Sequence, residues 1–175
     1  MSGDTFHYLA YGSNLHPLRL SDRVGSVECL GAVRLPGWRL CFDKRGSDGS
    51  AKANLRAAPD SAHQAWGAVF RLHRRQYVAL DRYEGCGRGY ETFWLDLTID
   101  GSEIPVLTYL TPSHWLSSQS RPYRWYLDLV LAGARYHQFP SPAIQQLNQV
   151  QTMPDPDASR DRSQQMLLDR IRSVS

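Results

Sequence analysis

Apolar and polar residues alternate along several stretches of the chain, a pattern typical of strands with one buried face. Four stretches have this period of two: Val27 to Leu35, Trp38 to Phe42, Phe93 to Ile99, and Ile104 to Tyr109. Two continuous apolar runs, His7 to Tyr11 and Trp66 to Leu72, predict strands that are buried on both faces. The sequence therefore predicts about six strands.

Turn residues separate some of these stretches. Pro36-Gly37 and Asp100-Gly101 lie between consecutive predicted strands and predict hairpins, so most of the sheet should be antiparallel. Lys44 to Ser50 is polar and predicts a loop.

Helical patterns are confined to a few segments. Pro122 to His137 has apolar residues at i, i+3 and i+4, and Arg75 to Glu84 predicts a short helix that ends at Gly85. Ser141 and Pro142 suit the N-cap and first residue of another helix. The last twenty residues are polar with a thin apolar stripe, which leaves open whether they dock as a peripheral helix or fray.

Strands dominate the first two-thirds of the chain and helices the rest, which predicts an α+β fold. Six strands with antiparallel links can close into a small barrel with flanking helices, because closure removes exposed sheet edges. A length of 175 residues suits one domain. We assign it to residues 1–152, with a polar tail at 153–175.

Charge and composition exclude several classes of protein. The net charge is only +3, no block of five like charges occurs, and no run of eighteen apolar residues is present. We therefore expect a cytoplasmic protein, monomeric or homodimeric, with no nucleic-acid or membrane partner. Three cysteines without CxxC spacing, and histidines without HExxH or HxxxH spacing, predict neither a disulfide framework nor a metal site.

The segment Tyr11-Gly12-Ser13-Asn14 is a first candidate for chemistry. It follows a predicted buried strand and precedes a helical turn near Pro17. Successive backbone N–H groups in such a loop can bind an anion or a developing oxyanion. The spacing alone favours an ordinary tight turn, because Gly-Ser-Asn is common turn chemistry.

Glu84 is a second candidate. It ends a predicted helix just before Gly85, and a helix C-terminus disfavours the ionised form of a carboxyl group. A partly buried glutamate there suits general acid–base catalysis. The alternative is a solvated glutamate near Arg82 or Arg88. The glycines that follow precede a strand rather than a helix, so they do not predict a nucleotide site.

Together these motifs resemble the gamma-glutamylcyclotransferase family, which is also called AIG2-like. The resemblance depends on Tyr8-Leu9-Ala10-Tyr11-Gly12-Ser13-Asn14-Leu15, followed in order by Leu80-Asp81-x-x-Glu84-Gly85 and by Gly89-Tyr90. Trp66 to Phe70 is similar to the family's strand before the catalytic helix. The resemblance extends over roughly Phe6 to Pro140.

The resemblance implies a closed β-barrel enzyme of the lyase type with a pocket that needs no cofactor and no metal. The catalytic residue would be Glu84. The substrate-binding residues would be Tyr8, Leu9, Ala10, Tyr11, Gly12, Ser13, Asn14, Tyr90 and Tyr123. The reaction would close a γ-glutamyl compound into 5-oxoproline and release an amino acid or amine, with Glu84 as base and then acid.

Several alternatives remain open at this point. The substrate could be a γ-glutamyl amino acid, a γ-glutamylamine, a γ-glutamyl-protected intermediate or glutathione. The loop from Gly12 to Asn14 could bind the α-carboxylate or the oxyanion. A binding module with the same fold and no turnover is the alternative from a different class.

Overall fold

A computed structural model describes residues 4–58 and 63–174. Within these residues the chain forms seven strands: β1 (Thr5–Ala10), β2 (Glu28–Pro36), β3 (Trp38–Arg45), β4 (Ala51–Ala57), β5 (Gln64–His73), β6 (Glu91–Ile99) and β7 (Ser102–Leu110). Its α-helices are α1 (Pro17–Val24), α2 (Tyr77–Glu84), α3 (Arg124–Tyr136), α4 (Ser141–Asn148) and α5 (Ala158–Ser173). The predicted α+β class is confirmed.

The strands form two sheets rather than a closed six-stranded barrel, so the prediction of closure was wrong. One sheet has five strands in the order β2-β5-β1-β7-β6, and the other contains only β3 and β4. All pairs are antiparallel except β1 with β7. In the described residues β2 and β6 stand at the edges of the larger sheet, and no ladder joins them.

The turn at Pro36-Gly37 explains part of this difference. It does not close a hairpin, because β2 pairs with β5 while β3 pairs with β4. Gly37 has a positive φ of 75°, and the chain crosses there from one sheet to the other. By contrast, Asp100-Gly101 closes the predicted β6–β7 hairpin with φ values of 50° and 77°, as a type I′ turn requires.

The strand β4 was not predicted. Its inward residues alternate as expected, but two of the three are alanines, so the apolar signal is weak. The predicted loop Lys44 to Ser50 is also shorter than expected, because Lys44 and Arg45 belong to β3.

Helix α3 fixes the position of the segment that follows β1. Its apolar face is buried, the Tyr126 hydroxyl on it accepts from the Ala53 amide of β4, and Gly133 lies against Leu15. A methyl group on Gly133 would lie 2.3 Å from the Cβ of Leu15, so glycine permits this approach. One turn later, a ring nitrogen of His137 lies 2.7 Å from the carbonyl oxygen of Leu15. Helix α3 therefore packs against the end of this loop at Leu15 and fixes its position.

The helix ends differ slightly from the predicted ones. A 3-10 turn, Arg74–Gln76, precedes α2, and Tyr123 is the N-cap of α3 rather than part of the helix. Helix α4 begins at Ser141 with Pro140 as N-cap, so the predicted cap was wrong by one residue. Differences of one or two residues at helix ends are common, because local sequence patterns do not fix helix boundaries more closely.

The polar tail forms a docked helix, α5. Asp157 caps it by accepting hydrogen bonds from the amides of Ser159 and Arg160, both at 3.0 Å. Leu168 and Ile171 are buried, and α5 packs against α3. In the part of the chain that the structure describes, no helix combines the length and apolarity needed to span a membrane.

Candidate active site

A cleft of about 570 Å³ lies between the end of β1, helix α1, the β3–β4 sheet and the end of α2. Glu84 lies on one wall and the loop from Gly12 to Asn14 on another. The structure thus brings together the two segments that the sequence singled out, although 70 residues separate Asn14 from Glu84.

Helix α2 ends at Glu84 because Gly85 takes the left-handed conformation there, with φ 71° and ψ 42°. One oxygen of the carboxylate, Oε1, accepts a hydrogen bond of 2.5 Å from the Tyr8 hydroxyl and one of 2.7 Å from the Asn14 side-chain amide. Within the described residues Oε2 has no protein hydrogen bond. The carboxylate is therefore oriented through one oxygen, and the other remains available to a ligand.

Tyr8 remains a donor under all ordinary conditions. Burial, followed by the negative charge of Glu84, raises the pKa of the Tyr8 hydroxyl well above its usual value. Asn14 is oriented in turn by Arg23, which donates to its Oδ1 at 2.8 Å. The Asn14 amide group therefore presents its NH₂ to Glu84, and this flip state is fixed by the hydrogen-bond network.

A second set of contacts ties α2 to the sheet. The Tyr109 hydroxyl donates to Asp81, which lies one turn before Glu84 in α2. The Tyr11 hydroxyl donates to the carbonyl oxygen of Tyr109 at 2.5 Å. Burial, with hydrogen bonding to Asp81, raises the pKa of Tyr109, so this donor also stays protonated. These contacts hold the end of α2 against β7 and β1.

The loop after β1 packs closely against β4. A methyl group on Gly12 would lie 3.1 Å from the Cβ of Ala53 and 3.2 Å from the Tyr126 hydroxyl oxygen. The loop closes with a hydrogen bond of 3.1 Å from the Leu15 amide to the Gly12 carbonyl oxygen. Among the described residues, the amides of Gly12, Ser13 and Asn14 form no hydrogen bond with the protein. The loop therefore lines the cleft with unused donors.

The other predicted binding residues divide into two groups. Tyr90 and Leu9 line the cleft, and the Tyr90 hydroxyl donates to the carbonyl oxygen of Ala53. Ala10 is buried in the core and does not line the cleft. Tyr123 does not line it either, because its hydroxyl donates to the Asp48 carbonyl oxygen at 2.6 Å. Tyr123 therefore supports the β3–β4 loop from outside the cleft.

The cleft has a basic lining that was not predicted from the sequence. Among the residues that the structure describes, six basic side chains line it, against two acidic ones, Asp48 and Glu84. The basic residues are Arg19, Arg23, Lys44, Lys52, Arg82 and Arg88. Part of this lining was visible in the sequence, because Arg19 and Arg23 lie four residues apart on one face of α1. The two lysines pair across β3 and β4, so their shared position depends on the strand that was not predicted.

The two lysines are held by different groups. Lys52 forms a salt bridge of 2.7 Å with Asp48 and lies 4.8 Å from the ring centre of Tyr126. Lys44 lies 4.9 Å from the ring centre of Tyr90 and 5.9 Å from that of Trp115. Burial lowers the pKa of both ammonium groups. The aromatic rings thus hold cationic groups at the wall of the cleft.

A comparison of the sequence with protein-family models identifies the family. Residues 8–127 match the family model described as "Gamma-glutamyl cyclotransferase, AIG2-like". The chain belongs to this family. The match includes both Glu84 and the loop from Gly12 to Asn14, so the resemblance read from the sequence is confirmed.

Individual relatives support the same assignment. The chain is 27% identical over 156 residues to a gamma-glutamylcyclotransferase of Mus musculus, covering 85% of this chain and 80% of the relative. It is 29% identical over 163 residues to a gamma-glutamyl cyclotransferase of Aspergillus oryzae, covering 80% of this chain and 59% of that longer protein. A solved gamma-glutamyl cyclotransferase structure superposes with a TM-score of 0.82 at 22% identity, covering 95% and 99% of the two chains. The last likeness establishes the shared fold.

Proposed function

We propose that this protein is a gamma-glutamyl cyclotransferase that converts a γ-glutamyl amino acid into 5-oxoproline and the free amino acid. Family membership supports the general activity. The observation that carries the mechanism is the Glu84 carboxylate, which Tyr8 and Asn14 hold in the cleft by Oε1 alone.

The reaction requires proton transfer but no protein nucleophile. The substrate's own α-amine attacks its γ-carbonyl carbon, a lactam C–N bond forms, and the bond to the leaving nitrogen breaks. The α-nitrogen loses two protons as it passes from ammonium to lactam, and the leaving nitrogen gains two as it departs as an ammonium. Glu84 accepts at the first nitrogen and donates at the second, which is general base and then general acid catalysis.

Both reacting groups belong to one molecule, so the cleft must hold a folded conformer of the substrate. Positioning of this kind can contribute about 7–11 kcal/mol in favourable intramolecular reactions. The free amides of the Gly12 to Asn14 loop supply donors for the substrate's α-carboxylate or for the developing oxyanion. A single oxyanion donor is commonly worth about 3 kcal/mol, so either role is substantial.

The charge of the cleft favours a γ-glutamyl amino acid over a γ-glutamylamine. In the described part of the chain, six basic and two acidic side chains line the cleft, an excess of four positive charges. A γ-glutamyl amino acid carries two carboxylates and one ammonium group and is an anion at neutral pH, whereas a γ-glutamylamine with a neutral leaving group is not. A cleft with excess positive charge raises the local concentration of the anion.

A substrate panel tests the proposal. The purified protein is incubated with γ-glutamyl-alanine, γ-glutamyl-ethylamide and glutathione, and 5-oxoproline is measured by chromatography. We expect 5-oxoproline from γ-glutamyl-alanine, with a lower kcat/KM for γ-glutamyl-ethylamide. A ligand-induced rise in Tm without 5-oxoproline from any of the three would contradict the proposal and favour a binding module.

A further inference from the structure

Arg19 is a buried cation at the wall of the cleft, and no described carboxylate forms a salt bridge with it. It lies on α1, is only 6% exposed and lines the same cleft as Glu84. Its NH1 group donates to the side-chain oxygen of Gln164 on α5 at 3.1 Å. Within residues 4–58 and 63–174 it forms no salt bridge, and its Nε is buried without a hydrogen-bond partner.

A buried guanidinium normally has a carboxylate or several acceptors around it, because removing a charge from water is costly unless it is paired. The Gln164 oxygen is a single neutral acceptor and does not balance the charge. Burial, with the nearby charge of Arg23, lowers the pKa of Arg19 to about 9, which leaves the guanidinium charged at neutral pH. The unbalanced charge therefore favours an anion in the cleft that Arg19 lines.

The neighbouring cation on α1 is already engaged, which distinguishes the two arginines. Arg23 donates to Asn14, and its guanidinium carbon lies 5.3 Å from the ring centre of Tyr83. Arg19 is instead hydrogen-bonded to Gln164 on α5, a helix that lies outside the family match at residues 8–127. Arg23 therefore orients Asn14, whereas Arg19 has no salt-bridge partner among the described residues.

We propose that Arg19 binds a carboxylate of the substrate and that Gln164 positions it for this role. The inference rests on the proposed function, because a γ-glutamyl amino acid offers two carboxylates, the α-carboxylate of the glutamyl group and the carboxylate of the leaving amino acid. An arginine can bind either with paired hydrogen bonds. The choice between the two carboxylates is made by experiment.

The kinetic test compares two substrates. KM and kcat are measured with γ-glutamyl-alanine and γ-glutamyl-ethylamide for the wild type, Arg19→Met and the control Arg135→Met, whose arginine is exposed on α3. Losing a charged hydrogen bond should raise KM about 10- to 100-fold in Arg19→Met. A rise for both substrates assigns Arg19 to the α-carboxylate, and a rise for γ-glutamyl-alanine alone assigns it to the leaving group. An unchanged KM for both overturns the proposal.

Two further variants test the same proposal if Arg19→Met does not fold. Arg19→Lys keeps the charge but loses the forked donor geometry, so we expect a smaller rise in KM. Gln164→Met leaves Arg19 in place without its anchor, and we expect a several-fold rise in KM with little change in Tm. Wild-type KM values in both would again overturn the proposal.

Ligand binding separates the failure of this inference from failure of the proposed function. The rise in Tm caused by γ-glutamyl-alanine is measured without reference to turnover, for the wild type and Arg19→Met. A rise that is lost in Arg19→Met supports the carboxylate site even if no 5-oxoproline forms. If both proteins form 5-oxoproline and γ-glutamyl-alanine raises their Tm equally, Arg19 does not bind the carboxylate, while the proposed activity is retained.

Discussion

The Tyr8 hydroxyl donates a hydrogen bond of 2.5 Å to Oε1 of Glu84, joining the first strand to a helix end 76 residues later. Both ends of this contact are fixed independently. Tyr8 is held in β1 between β5 and β7, and Glu84 is held by the left-handed cap at Gly85. The positions of β1 and of the end of α2 therefore determine how the Glu84 carboxylate is oriented.

Removing this donor should impair turnover more than folding. In Tyr8→Phe the ring remains in the core, but Glu84 keeps only the hydrogen bond from Asn14. A hydrogen bond to a charged group is worth about 1.5–3 kcal/mol, so we expect kcat to fall about 10- to 100-fold. The matched control is Tyr136→Phe, which removes the hydroxyl of an exposed tyrosine. Equal kcat values for the two variants would show that Tyr8 does not orient Glu84.

Gly12 should not tolerate a methyl group. The added carbon of Gly12→Ala would press on Ala53 and the Tyr126 hydroxyl, displacing the loop that lines the cleft. We expect the free energy of unfolding to fall by about 1–3 kcal/mol, as in other overpacked sites, together with a loss of activity.

A compensating change tests the stated cause. Ala53→Gly removes the carbon that the new methyl group meets first, so adding it to Gly12→Ala should recover part of the activity. Chemical denaturation and kinetics on both single variants and the double variant give the coupling between the two positions. Additive losses would show that contact with Ala53 is not the cause.

The stability provided by Asp155 should depend on pH. Its buried carboxylate forms a salt bridge with Arg160 at 2.5 Å and accepts a hydrogen bond of 2.8 Å from the Trp125 indole. Hydrogen bonding to Arg160 holds the pKa of Asp155 well below its ordinary value. The unfolded state then takes up the proton first on acidification, so this stabilisation is complete above the unfolded pKa of about 3.9 and shrinks below it.

The measurement compares unfolding of the wild type and Asp155→Asn between pH 7 and pH 3. We expect the wild type to be more stable by a constant amount down to about pH 5, and the difference to narrow as the pH falls through about 4. The control, Asp169→Asn, breaks an exposed pair with Arg172 and should change stability by less than about 1 kcal/mol. A difference that widens at low pH would contradict the assigned direction.

The site was more predictable from the sequence than the sheet. The end of α2 at Glu84 depends on a local glycine cap, and the Gly12 to Asn14 loop depends on local turn chemistry, so short motifs reveal both. Closure of the barrel depends on which strands pair over long distances. The turn at Pro36-Gly37 looks like a hairpin locally, yet it carries the chain between two sheets.

The lysines of the basic lining could not be predicted from the sequence for a similar reason. Nothing local shows that Lys44 and Lys52 face the same cleft until β4 is recognised, and its alanines gave too weak a signal. Likewise, the role of Tyr123 as a support for the Asp48 loop depends on a contact over 75 residues.

The most direct test of the proposed mechanism is the turnover of Glu84→Gln. The substitution keeps an oxygen that can accept from Tyr8 but removes the carboxyl group that we propose as the acid and base. The control is Glu91→Gln, at an exposed position of β6. With γ-glutamyl-alanine as substrate and 5-oxoproline as product, we expect kcat to fall about 10²- to 10⁴-fold in Glu84→Gln, with a Tm equal to that of the wild type. Full activity in Glu84→Gln would contradict the assignment of Glu84 as the catalytic acid and base.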